Sequence, residues 1–87
     1  MQQINDLFEL SQDEIEYRIS ALTEDQLNIL TLIAQGKTDK QIASILSISA
    51  ANVRARLYNG CDRIGVSCRA QLLCIYAIWK HYDKTSV

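Results

Sequence analysis

Three times in the first half of the chain a hydroxyl residue is followed three positions later by Glu or Gln: Ser11 and Glu14, Thr23 and Gln26, Thr38 and Gln41. In each pair the hydroxyl can take a first-turn N–H while the third side chain reaches back to the N–H of the capping residue. That reciprocal pattern marks a helix start. Ser49 and Ser67 stand before further starts without the full pair. There is no proline, and glycine occurs only at 36, 60 and 65. Frequent starts, few breakers and no alternating strand pattern predict an all-α fold.

The expected helices cover about 12–20, 24–35, 39–46, 50–64 and 68–82, with a loose turn around Ile4, Leu7 and Phe8 ahead of the first. Ile15 and Ile19 share one face of the first helix, away from Asp13, Glu14 and Glu16, so it should pack on the bundle. The second should turn Leu27, Leu30 and Ala34 inward and stop at Gly36, a natural left-handed residue. The third should turn in Ile42, Ala43 and Leu46, and the fourth should end at Gly65. Residues 1–21 read as an acidic helical extension, with five carboxylates against Arg18. Residues 22–87 read as a mildly basic body, with eight Lys/Arg against five Asp/Glu. That balance is compatible with nucleic acid without establishing it.

Other classes fare worse. Cysteines 61, 68 and 74 form no C-x-x-C pair and His81 is the only histidine, so free thiols are expected, with no metal and no cofactor. No cluster of Ser/His/Asp, Cys/His or paired carboxylates falls at catalytic spacing, so an enzyme is not expected. The N-terminus lacks a signal pattern and the apolar run from Leu72 to Trp79 is too short to span a bilayer, so no membrane is expected and the chain reads as cytoplasmic.

The helices at 39–46 and 50–64 are joined only by Ser47, Ile48 and Ser49. A short helix, a tight turn and a longer helix form a helix-turn-helix, whose second helix enters the DNA major groove. Ala43 suits close approach of the two helices, and Ile48 should plug the core beneath them. Residues 22–78 resemble the LuxR/FixJ/GerE-type helix-turn-helix domain. The matching positions are Leu22-Thr23, Leu30, Ala34-Gln35-Gly36, Lys40, Ile42-Ala43, Leu46, Ile48-Ser49, Val53, Leu57, Gly65-Val66 and Arg69-Ala70. They run without a gap from 22 to 73, about two-thirds of the chain. The resemblance implies a four-helix LuxR-type bundle, here with an extra short N-terminal helix, from a bacterial or phage-encoded regulator that is usually dimeric through its last helix. It also implies a stand-alone member, since 21 residues cannot form a sensor domain. Arg54 keeps the family's basic residue, Arg56 replaces a common His, and Gly60 replaces a large apolar residue. Either something approaches Gly60 closely or the core is looser there.

On the 50–64 helix, Val53, Leu57, Gly60 and Ile64 share the core side, while Ala51, Arg54, Ala55, Tyr58 and Asp62 share another. Given the resemblance, Arg54 among small residues can fork onto a guanine, and Ala51 or Ala55 can meet a thymine methyl, with Tyr58 beside them. Asn52, Arg56, Asn59 and Arg63 form a flank suited to phosphates. Lys40 is a further phosphate contact by resemblance, aided by its helix N-terminus. The last helix carries two apolar stripes: Ala70, Leu73, Cys74 and Ala77, and Leu72, Ile75, Tyr76 and Trp79. The pattern alone leaves open which faces inward. Packing the small residues inward makes Leu72, Ile75, Tyr76 and Trp79 an exposed dimer seam. The expected partner is double-stranded DNA, read by a homodimer on a roughly palindromic operator, with RNA polymerase or a larger regulator as a further partner. The alternative is a protein-binding antagonist that heterodimerises with a larger LuxR-type regulator.

Overall fold

The computed structural model describes residues 10–85, and their side chains as far as 82. The turn expected around Ile4, Leu7 and Phe8 lies outside the described residues. Five helices follow one another: α1 (Gln12–Ser20), α2 (Glu24–Ala34), α3 (Asp39–Leu46), α4 (Ala50–Ile64) and α5 (Arg69–Thr85). Among the described residues there is no strand. None of the helices is long and apolar enough to cross a membrane.

The starts are built much as their sequences dictate. Thr23 and Thr38 each accept a first-turn N–H, and Gln26 and Gln41 reach back to complete both boxes. Ser11 and Ser49 cap with the hydroxyl alone. Glu14 does not close the box at Ser11 because its carboxylate pairs with Arg18, one turn on, at 3.1 Å. The last helix begins one residue later than expected, at Arg69, and the N–H of Ser67 instead donates to the side chain of Gln71. Three ends use a left-handed residue, Gly36, Ser47 and Gly65. Each is followed by an N–H that reaches back five residues, from Lys37 to Leu32, Ile48 to Ala43 and Val66 to Cys61. Ser47 holds this conformation without being glycine, and the sharp turn between α3 and α4 depends on it.

One core joins all five helices. Ile15 and Ile19 of α1 are buried in it with Ile29, Leu30, Ile42, Val53 and Leu57, so α1 packs on the bundle as its pattern predicts. In α2 the inward residues are Gln26, Ile29 and Leu30. Leu27 is half-buried and Ala34 exposed, so the expected face is rotated. The buried Gln26 is satisfied: its carbonyl serves the cap at Thr23 and its amide donates to the Arg56 carbonyl at 3.2 Å.

The α5 assignment is overturned. Leu72, Ile75 and Tyr76, expected as an exposed seam, lie in the core, and Trp79 packs half-buried against it. Ala70 and Ala77 face solvent instead, with Leu73 half-buried. Leu72 faces Gly60 of α4, as Leu22 does, their Cδ2 atoms 3.5 and 3.4 Å from where a Cβ would stand. Tyr76 follows inward because its hydroxyl finds Thr31 Oγ1 at 2.8 Å. Thr31 gives its own proton to the Leu27 carbonyl, so Tyr76 is the donor.

Of the two readings the sequence left open at Gly60, an unusually close approach is not what the structure shows. The Gly60 backbone is helical and an added methyl meets ordinary van der Waals contacts. Gly60→Ala should therefore stabilise the fold by about 0.5–1 kcal/mol through helix propensity, visible as a higher urea midpoint. A lower midpoint would mean that Leu22 or Leu72 cannot give way.

Candidate nucleic-acid interface

Helix α4 is anchored along its back and open along its front. Val53, Leu57, Gly60, Cys61 and Ile64 are buried. Ala51, Arg54, Ala55 and Tyr58 all face solvent, Tyr58 at 63% exposure. Arg54 makes no hydrogen bond or ion pair among the described residues, so its guanidinium is available to a ligand. Lys40 is exposed on the first turn of α3.

An ion pair borders this open stripe on each side. On one flank Arg56 pairs with Asp25 at the start of α2. On the other Arg69, the first residue of α5, forks onto Asp39, the first residue of α3, at 2.6 and 2.9 Å. The hydrogen bonds from Arg69 hold the Asp39 carboxyl below its ordinary range. Partial burial opposes them, and the charges of Arg69 and Arg54 add to them. The pair is fully charged at neutral pH. Its contribution to stability is complete above the ordinary carboxylate pKa and is lost as pH falls through the lowered value.

The expected phosphate flank divides. Asn52 and Asn59 are exposed on α4. Arg56 is committed to Asp25, and Arg63 donates to the Ala21 carbonyl at the end of α1, 3.2 Å away. In return Arg18 of α1 donates to the Ile64 carbonyl in the last turn of α4 at 3.2 Å, a cation placed at the negative end of that helix. α1 therefore ties down the far end of α4.

Sequence reasoning missed Asp25, Asp39 and Arg69 as borders of this surface. Both pairings span about thirty residues, and neither leaves a local signal; Arg69 stood out only as part of the family-like motif. Cys61 lies in the core, where burial pushes its thiol up, reinforced by Cys68 and Asp62, and keeps it protonated. His81 is exposed on α5 beside a shallow apolar groove lined by Ile33, Leu73 and Ala77.

The family model described as "Bacterial regulatory proteins, luxR family" matches residues 20–76. The chain is 37% identical over 57 residues to the nitrate/nitrite response regulator protein NarP of Escherichia coli (strain K12), covering 66% of this chain and 26% of that protein. It is 39% identical over 61 residues to the transcriptional regulatory protein LiaR of Bacillus subtilis (strain 168), covering 70% and 28%. It is 40% identical over 50 residues to the spore germination protein GerE of Bacillus subtilis (strain 168), covering 58% and 68%. The matched segment is thus about a quarter of the first two relatives and two-thirds of the third. No solved structure matches the chain at a significant level.

Proposed function

The chain belongs to the luxR family of bacterial regulatory proteins and carries its DNA-binding helix-turn-helix domain, and on that premise we propose that it acts as a sequence-specific transcriptional regulator, binding a roughly palindromic operator as a homodimer. The observation that carries this reading is the front of α4: Arg54 lies unpaired between Ala51, Ala55 and Tyr58 on a helix whose back is locked in the core. The alanines let the backbone sink into the major groove, and the guanidinium can fork onto guanine O6 and N7. Lys40, Asn52 and Asn59 hold phosphates beside it. Arg56 and Arg63 reach phosphates by giving up Asp25 and the Ala21 carbonyl.

The dimer forms through the outward side of α5, where Ala70, Leu73 and Ala77 offer a low apolar surface beside the groove. Two-fold symmetry then sets the two reading helices about 34 Å apart, one turn of DNA. Selection of bound duplexes from a random pool tests the reading, followed by titration of the winner and a scrambled duplex across a salt series. The expected result is a palindromic winner bound about 10³-fold or more tighter than scrambled DNA. No enrichment, together with capture of a larger family member by the chain, would favour an antagonist that works by heterodimerisation.

A further inference from the structure

A carboxylate beside a DNA-reading helix repels phosphates, yet Asp39 sits at the edge of one. Both of its oxygens are forked by Arg69, and the pair is only half-buried. A tie between α3 and α5 needs no charge on this edge. Arg54, on the front of α4, adds its charge to the field on the same carboxylate. Without the carboxylate, Lys40, Arg54 and Arg69 would be three neighbouring cations, and Arg69 would be free to turn to any phosphate. A cation released in this way strengthens binding to every sequence alike and steepens its dependence on salt.

We propose that Asp39 is a positioning residue that limits sequence-independent affinity: its carboxylate, forked by Arg69 across the α3–α5 edge, withholds Arg69 from phosphates. The inference rests on the regulator reading above and adds a residue whose role is to hold back a phosphate contact on every sequence.

The full chain, its Asp39→Asn variant, Arg69→Gln and the double variant are titrated on the selected and scrambled duplexes between 50 and 200 mM salt. Asp39→Asn should bind the selected and scrambled duplexes more tightly by a similar factor at low salt. It should also steepen the log–log salt slope by about 0.9, roughly a 3.5-fold effect over that range. Adding Arg69→Gln should return the slope to the wild-type value. Arg69→Gln alone should leave the slope unchanged, because Arg69 is already withheld, and this arm stands even if Asp39→Asn fails to fold. A merely structural tie would shift both duplexes by one factor with the slope unmoved, and that result overturns the inference. So does a slope that flattens by about 0.9 in Arg69→Gln alone, which would make Arg69 a phosphate contact in the native chain. A wild-type chain without preference for any duplex would fail the regulator reading itself. Preference with an unmoved slope in Asp39→Asn fails this inference alone.

Discussion

The double substitution Leu72→Glu with Ile75→Glu should abolish folding. Both side chains are fully buried in the core shared by the five helices. Each glutamate would enter that core with no partner, at several kcal/mol apiece even after protonation and relaxation. Small domains have only about 5–15 kcal/mol in total, so the helical circular dichroism should be lost at 25 °C. Had the two side chains formed an outer seam, the product would be a folded monomer. Ala77→Glu, on the exposed side of the same helix, provides the contrast: it should stay folded and weaken the proposed dimer. Ile15→Ala should cost about 2–5 kcal/mol, because α1 contributes a fully buried side chain to the same core. A stability loss near zero there would make α1 an ornament rather than part of the domain.

Arg54→Ala should leave the fold intact, since the side chain is exposed and makes no internal hydrogen bond. On the preferred operator it should cost about 1–3 kcal/mol, roughly 5- to 150-fold in affinity, and relax selection at one base pair of each half-site. Scrambled DNA should lose far less. Arg54→Lys should recover only part of the loss, because an ammonium cannot reproduce the planar fork. Equal losses on both duplexes would reduce Arg54 to a phosphate contact.

Local structure was legible in the sequence because its causes are local. Thr23, Thr38 and Ser49 cap the helices they were expected to cap, and Gly36 and Gly65 end theirs. The open front of α4 follows from the spacing of its core residues. Orientation on α5 was not legible, because both of its sides are apolar. The side that turns inward is settled by packing in the assembled bundle, where Leu72, Ile75 and Tyr76 are buried. Nor could the sequence show that Arg56 is held by Asp25 or Arg69 by Asp39. Charge pairing across four helices depends on how they are packed together, and both acids read simply as favourable N-terminal residues.

Guanine N7 methylation interference on the selected duplex tests the central claim most directly. Molecules carrying on average one methylated guanine are sorted into bound and unbound fractions, with the wild-type chain and with Arg54→Ala. A guanidinium forked onto O6 and N7 predicts one guanine in each half-site whose methylation excludes the duplex from the wild-type complex. That interference should disappear with Arg54→Ala. The same pattern of interference with both proteins would contradict base reading by Arg54.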